Sequence, residues 1–116
     1  MQALKAAVIQ GNTDAFFRRG VGDIPADKRE HRFVMHLEWM QTILGPARAA
    51  YLAELPFSHR IEPAPDQALL VVHANPRDQE RAILPRMNQA QLDDLLAETG
   101  DWAALAFGHL HVPYCI

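Results

Sequence analysis

Polar side chains follow three apolar runs of this chain, and their types are those that bind metal ions. Asn12 and Asp14 follow residues 4–10, His73 follows residues 68–72, and His109 and His111 follow residues 102–107. Imidazole nitrogens combined with amide or carboxylate oxygens suit manganese, iron or zinc. Two such ions side by side can clamp a phosphoryl group and generate a hydroxide nucleophile. The pattern therefore predicts a metal site built from the ends of strands.

Each of these signals also has a simpler interpretation. A single histidine at a strand end usually forms only a hydrogen bond, and Gly-Asn-Thr-Asp at 11–14 consists of turn-forming residues. The segment Gly-His-Leu-His at 108–111 is more specific, because residues i and i+2 of an extended chain point the same way. The glycine before each ligand is expected to let the backbone approach closely. The remaining histidines, His31, His36 and His59, are predicted to be solvated or packing residues.

The elements that must position these residues follow from the apolar periodicity. Strands are predicted at 4–10, 57–62, 68–74 and 102–109, helices at 30–44, 47–55 and 91–99, an irregular segment at 13–29 and a loop at 75–89. Gly45-Pro46 separates the first two helices, residues 57–62 are expected at a sheet edge, and Trp39 and Trp102 are expected in the core. Buried strands separated by a helix predict an α/β layered fold, with the carboxyl ends of its strands at one edge.

Composition restricts the class of protein. The chain has 116 residues, 49% of them hydrophobic and 22% charged, which fits one small globular domain. Its net charge of −3 argues against a nucleic-acid surface. The single cysteine, Cys115, cannot form an internal disulfide, which favours a reducing compartment. No run reaches the roughly 18 apolar residues that a membrane span needs. We expect a soluble, cytoplasmic protein.

Taken in order, the three motifs resemble those of the calcineurin-like metallophosphoesterases. That family has Gly-Asn-His-Asp/Glu, then an apolar strand ending in His, then Gly-His-x-His. This chain has GNTD at 11–14, VVHANP at 71–76 and GHLHVP at 108–113, and the resemblance covers essentially its whole length. It implies part of a four-layer α/β/β/α sandwich. It also implies a hydrolase, a phosphatase or phosphodiesterase, in which two divalent ions (manganese, iron, zinc or nickel) and a metal-bound hydroxide cleave a phosphoester substrate.

The same resemblance assigns roles residue by residue. It makes Asn12, His73 and His109 ligands of one metal and His111 a ligand of the other. Thr13 stands where the family has a histidine that protonates the leaving group or steadies the transition state, and loss of a general acid costs roughly 10²–10⁴-fold in rate. Asp14 is the remaining acidic candidate for catalysis.

Two further family motifs have no counterpart in this chain. They are Asp-x-His on the first strand and Gly-Asp-x-x-Asp/Asn on the second, and the acidic pair in residues 22–27 follows GNTD instead of preceding it. We therefore expect one metallophosphoesterase domain, residues 1–116, shortened by a truncated gene or a mis-set start codon. A helical insert is expected at about residues 15–56.

Three functions remain open at this point. The first is phosphoester hydrolysis, expected to be weak or absent in this chain alone because ligands are missing. The second is a non-catalytic scaffold or binding protein of the same fold. The third is a nuclease of the same family, which the acidic balance disfavours. Absent strands would also leave a sheet edge exposed, which favours self-association.

Overall fold

A computed structural model describes residues 6–20 and 31–116. The described residues form, in chain order, α1 (Asn12–Arg19), α2 (His31–Glu54), β1 (Ser58–Ile61), β2 (Leu69–Val72), α3 (Gln89–Leu96) and β3 (Ala104–Ala106). The fold is thus a mixed α/β arrangement with one small sheet. Two compact units make up the chain: Met1–Gly11 with Pro56–Ile116, and Asn12–Leu55. The acidic pair in residues 22–27 lies outside the described residues.

The first unit is built on a three-stranded sheet in the order β1-β2-β3. β1 runs antiparallel to β2, with Ser58 opposite Val72, and β3 runs parallel to β2, with Leu69 opposite Ala104. A parallel pair needs a crossover connection, and α3 lies within it. Since β2 and β3 are parallel and adjacent, their carboxyl ends lie at the same edge of the sheet, as the apolar runs predicted.

The core of this unit is small and lies around β2, α3 and the loop between them. Val72, Ala74, Ile83 and Leu95 are each at most 2% exposed. Residues 102–109, by contrast, include no buried residue, and only Ala104–Ala106 are a strand. The prediction of a strand buried on both faces at 102–109 is therefore wrong. Its apolar run belongs to β3, which pairs with β2 along one edge and with no other strand of the described residues.

The predicted strand at 4–10 is also wrong for its described part. Residues 6–10 adopt no regular structure, and residues 6–8 are exposed. Gln10 is held differently, because its N–H donates to the carbonyl of Pro56 at 2.8 Å and its side chain is buried. A short apolar run shows that a segment favours burial, but it does not show that a neighbouring strand offers a free edge.

The described part of the second unit contains α1 and α2. The ring of Phe16 in α1 meets the ring of Phe33 in α2 edge-on at 5.3 Å, and Arg18 Nε donates to the carbonyl of Ala53 at 2.8 Å. Within α2, Gly45 has the non-helical angles φ 73° and ψ 167°, so two helical segments meet at a kink there. The two helices predicted on either side of Gly45-Pro46 are confirmed. The predicted helical insert overlaps this unit.

Two expectations for the second unit are wrong. Residues 12–19 are helical and not a turn followed by irregular chain. Asn and Asp favour helix starts as well as turns, and Asp14 in the first turn with Arg18 in the last turn suits the helix dipole. Trp39 is 58% exposed, because it lies about 200° around the helix from the buried Leu37. Among the described helices, none is long and apolar enough to cross a membrane.

Candidate metal site at the strand ends

Two of the predicted ligands lie side by side at the carboxyl ends of β2 and β3. Nε2 of His73 is 3.0 Å from Nδ1 of His109, so one ring nitrogen donates a hydrogen bond to the other. The two rings meet edge-on, with centroids 5.0 Å apart and planes at 81°. The N–H of Gly108 donates to the carbonyl of His73 at 2.8 Å, which joins the two strand ends just before the second histidine.

The separation of these two nitrogens fits two neighbouring ligands of one metal ion. Imidazole nitrogens bind zinc at about 2.1 Å, so two ligands of one tetrahedral zinc ion lie about 3.4 Å apart, and only a right-angled arrangement at that bond length places them about 3.0 Å apart. Both arrangements need the two histidines side by side, but a shared metal requires both nitrogens to direct a lone pair at the ion, so the rings would turn from their hydrogen-bonded orientation. Both side chains are half-buried, so the pair is held by the protein and is still open to solvent.

His111 is placed differently from the prediction. The chain is not extended after β3, because His109 and His111 have φ values of 70° and 57°. The N–H of Leu110 donates to the carbonyl of Gly108 at 2.9 Å, which closes a tight turn centred on His109. The argument that residues i and i+2 point the same way fails here, since it holds only for extended backbone. His111 is exposed.

The described part of the chain contains no group of three or more His, Cys, Asp or Glu side chains that could hold a metal ion. Asn12, Thr13 and Asp14 form the first turn of α1, in the second unit. A helix N-terminus favours a carboxylate, so the dipole of α1 accounts for Asp14 without a catalytic role. Of the three predicted ligands in the first unit, the structure brings together two, His73 and His109.

The expected role of Gly108 is not supported by its surroundings. A Cβ atom added at Gly108 would meet the carbonyl oxygen of His73 at 3.7 Å, an ordinary van der Waals distance. The backbone hydrogen bond between these residues therefore does not depend on the absence of a side chain. The expectation that a glycine is needed for close approach is wrong at this position.

Asn75 fixes the turn that follows His73, a role that the sequence interpretation missed. Its side chain is fully buried. Its Oδ1 accepts hydrogen bonds from the N–H groups of Arg77 at 2.7 Å and Asp78 at 2.9 Å, and its Nδ2 donates to the carbonyl of Arg81 at 2.7 Å. An Asn-Pro pair with an aspartate three residues later is a turn signal that could have identified it.

Asp78 continues the same turn. Its Oδ1 accepts from the N–H groups of Glu80 at 2.8 Å and Arg81 at 2.7 Å. Burial by itself would raise the pKa of this carboxyl. The pKa is nevertheless held below its usual 3.8. The carboxylate accepts hydrogen bonds from the backbone of Arg81 and Glu80 and from the side chain of Asn75, and it lies near the charge of Arg81. These interactions together outweigh the effect of burial.

A buried amide pair ties this turn to the segment before GNTD. Nε2 of Gln79 donates to the backbone carbonyl of Gln10 at 3.0 Å and to its Oε1 at 3.1 Å. Both glutamines are 3% exposed. The loop after His73 is therefore anchored at two points, by Asn75 within the loop and by Gln79 to Gln10.

Comparison with known proteins gave no match, either to a protein-family model or to a curated sequence. The ligand roles of Asn12, His73, His109 and His111 stay predictions, as do the catalytic roles considered for Thr13 and Asp14. The observation that bears on them most directly is the 3.0 Å separation of the two histidine nitrogens.

Proposed function

We propose that this chain is a metal-dependent phosphoesterase of the calcineurin-like type, in which His73 and His109 hold one divalent ion. The observation that carries the proposal is the 3.0 Å distance between Nε2 of His73 and Nδ1 of His109. The pair lies at the carboxyl ends of two parallel strands, which is where open α/β sheets bind their ligands. A divalent ion at such a site polarises a phosphoryl oxygen and acidifies water when it is bound.

Residues around the pair hold the two histidines in position. The hydrogen bond from Gly108 N to His73 O sets the spacing of the two strand ends, and Asn75 holds the turn that leaves His73. Asn12 and His111 are proposed as further ligands on the strength of the motif resemblance. The same resemblance supports the four-layer sandwich, a second ion (both of manganese, iron, zinc or nickel) and a cytoplasmic location.

Thr13 limits the reaction that we propose. A threonine hydroxyl does not protonate a leaving group at neutral pH, so the substrates expected to react are phosphoesters with good leaving groups. We therefore expect slow hydrolysis of an activated phosphodiester such as bis(4-nitrophenyl) phosphate. Thr13 also supports the second candidate, a binding protein of the same fold that has lost catalysis.

The first test is metal affinity, measured by titration calorimetry with manganese and with zinc on the purified chain. His73→Ala and His109→Ala should each weaken binding by at least about tenfold, because each removes a ligand. His59→Ala is the matched control, since His59 is an exposed histidine on β1, and it should bind as the wild type does. Wild-type affinity in both site variants would refute the proposed site.

Hydrolysis is measured on the same variants. Manganese-dependent release of 4-nitrophenol that disappears in His109→Ala supports the enzyme. Metal binding by the pair with no hydrolysis of phosphomonoesters or phosphodiesters supports the binding protein instead. Hydrolysis that persists in His109→Ala contradicts the role of the pair.

A further inference from the structure

A second cleft lies at the end of the sheet away from the two histidines. Its volume is about 800 Å³, and it is lined by residues at the C-terminal end of β1 and just before β2 and β3. Pockets that bind small molecules have volumes of roughly 300–1,000 Å³. Neither His73 nor His109 lines this cleft, so it is separate from the candidate metal site.

Trp102 supplies an aromatic ring to the cleft, and the ring is held in place. Its Nε1 donates to Oγ1 of Thr99 at 3.3 Å, and that hydroxyl donates to the carbonyl of Leu96 at 2.7 Å. The N–H of Ala103 donates to the carbonyl of Ala68 at 2.8 Å, which fixes the backbone beside the ring. Trp102 is half-buried. The ring is therefore both ordered and accessible to a ligand.

The positive charge of the cleft is already balanced. Nε of Arg60 donates to Oε1 of Glu62 at 2.6 Å, and the guanidinium also donates to the backbone carbonyl of Asp101. No other described lysine or arginine lines the cleft. An anionic ligand would have to compete with Glu62 for Arg60, so the cleft disfavours anions.

Two carboxylates of the cleft have no such counter-ion. Within residues 6–20 and 31–116, the carboxylates of Asp66 and Asp101 take part in no ion pair or side-chain hydrogen bond. The lining holds one arginine and three carboxylates, which is an excess of two negative charges. The cleft therefore favours a cation.

Asp66 occupies a backbone position that favours glycine or asparagine. The N–H of Gln67 donates to the carbonyl of Ala64 at 3.2 Å, which closes a turn with Pro65 and Asp66 at its centre. Asp66 has φ 59°, and a turn with proline at its second residue and positive φ at its third prefers glycine or asparagine there. The carboxylate is thus present in spite of the backbone preference.

The spacing of the carboxylates distinguishes between kinds of cation. A metal ion needs several ligands that converge on one point. Among the described residues, no group of three or more His, Cys, Asp or Glu side chains could hold one. Glu62, Asp66 and Asp101 are therefore too dispersed for a metal ion. An organic cation suits them better, because its charge is spread over a larger group and a tryptophan ring attracts it.

We propose that this cleft binds an organic cation, an alkylammonium or alkylguanidinium group, on Trp102, Asp66 and Asp101. The ring supplies a cation–π contact and apolar surface for the alkyl part. The two carboxylates accept charge-assisted hydrogen bonds from the N–H groups of the ligand. The site is independent of the proposed function and needs no metal.

Titration calorimetry with agmatine tests the binding, in EDTA and at low ionic strength. Agmatine carries a guanidinium and an ammonium group on a short alkyl chain. The wild type should bind one agmatine per chain, and binding should weaken in about 0.5 M salt, which screens exposed charges. Butyrate, an anion of similar length, should not bind. No saturable binding up to about 10 mM agmatine overturns the proposal, as does tighter binding of butyrate.

Variants locate the site. Asp101→Asn and Trp102→Leu should each weaken agmatine binding by about threefold or more. Glu98→Gln is the matched control, because it removes the same charge from an exposed residue outside the cleft, and it should bind as the wild type does. Wild-type affinity in Asp101→Asn and Trp102→Leu refutes the site. An equal loss in Glu98→Gln would show only a general attraction to negative charge and also refutes it.

Asp66→Asn separates binding from folding. Asparagine suits the positive φ at least as well as aspartate, so the melting temperature should not fall, whereas agmatine affinity should fall about threefold. Unchanged affinity contradicts the role of Asp66. In a Trp39→Phe background Trp102 is the only tryptophan, and agmatine should change its fluorescence. Unchanged emission at saturation contradicts contact with the ring.

Two further comparisons define the ligand and the independence of the site. A blocked Gly-Arg-Gly peptide that binds more tightly than agmatine assigns the cleft to an arginine side chain of a partner, and weaker binding of the peptide assigns it to a free amine. His109→Ala should bind agmatine as the wild type does, because His109 does not line the cleft. A chain that binds agmatine but no metal refutes the proposed function and leaves the cation site supported.

Discussion

Gly108 precedes His109, and its N–H donates to the carbonyl of His73. The space around Gly108 is nevertheless large enough for a side chain. A Cβ there would make only an ordinary contact with the carbonyl of His73. We predict that Gly108→Ala changes the free energy of unfolding by less than about 0.5 kcal/mol. Gly100→Ala is the control, because Gly100 has φ 90°, and it should lose about 1 kcal/mol or more. Urea denaturation measures both, and a larger loss in Gly108→Ala would show that the strand ends do need a glycine.

Asn75 is the residue whose loss should damage the site most without touching a histidine. Asn75→Ala leaves two backbone N–H groups and one carbonyl of the turn without their partner, which should cost about 2–3 kcal/mol of unfolding free energy. Asn75→Asp keeps the acceptor for Arg77 and Asp78, but it buries a carboxylate against the carbonyl of Arg81 and beside the carboxylate of Asp78, so its loss should be at least as large. Denaturant unfolding measures both variants, and a loss below about 1 kcal/mol in Asn75→Ala would contradict the assigned role of Oδ1.

Asp78 should make the same turn sensitive to acid. The pKa of its carboxyl is lower in the folded chain than its usual 3.8. Its stabilising effect is therefore present above pH 3.8 and is lost as the pH falls through the lower folded value. Asp78→Asn should flatten the decline of stability below pH 4, which thermal unfolding across that range measures. Glu80→Gln, an exposed neighbour, should leave the decline unchanged.

At the scale of elements, α3 begins with a capping box that fixes the start of the crossover from β2 to β3. Asn88 Oδ1 accepts from the N–H of Gln91 at 3.0 Å, and Gln91 Oε1 accepts from the N–H of Asn88 at 3.0 Å. Asn88→Ala should cost about 1 kcal/mol of unfolding free energy. Gln89→Ala removes an exposed contact to Asp93 and should cost only about 0.3 kcal/mol. Urea denaturation distinguishes the two variants. Equal losses of unfolding free energy would show that the capping box does not stabilise α3.

The sequence predicted those elements in which the spacing of apolar residues agrees with the Gly and Pro residues that end an element. The kink at Gly45, the strands at 58–61 and 69–72 and the helix before Gly100 all had both signals. The helix α1 was missed because Gly, Asn and Asp favour turns as well as helix starts. The predictions of buried strands at 4–10 and 102–109 were wrong because an apolar run does not show how many neighbouring strands a segment has. Which strands become neighbours in a sheet depends on the whole fold.

Part of the candidate site was predictable for the same reason. His73 and His109 each end an apolar run, and parallel neighbouring strands place such ends together, so their proximity followed from topology. His111 did not follow, because the turn closed by Gly108 and Leu110 lies beyond the strand, where a period of two no longer applies. Asn75 carried a turn signal, but only the structure shows that its side chain holds the turn that follows His73.

At the scale of the whole molecule, metal binding should stabilise one unit of the chain. Both histidines of the pair belong to the unit of Met1–Gly11 and Pro56–Ile116, where His73 directly follows β2 and His109 lies three residues after β3. A ligand that binds only the folded state stabilises it by about 2.7 kcal/mol at one hundred times its dissociation constant. We predict that saturating zinc raises the melting temperature of the wild type and of His59→Ala, and raises that of His73→Ala by less.

Hydrogen exchange locates that stabilisation. Zinc should slow exchange of the backbone amides at Leu69–Val72 and Ala104–Ala106, because opening either strand separates the two ligands. Slowed exchange there in the wild type and not in His73→Ala would tie the bound ion to the pair. If instead the amides of β1 alone were protected, or if His73→Ala were stabilised equally, the ion would be bound elsewhere, and the 3.0 Å contact between the two imidazoles would be only a hydrogen bond.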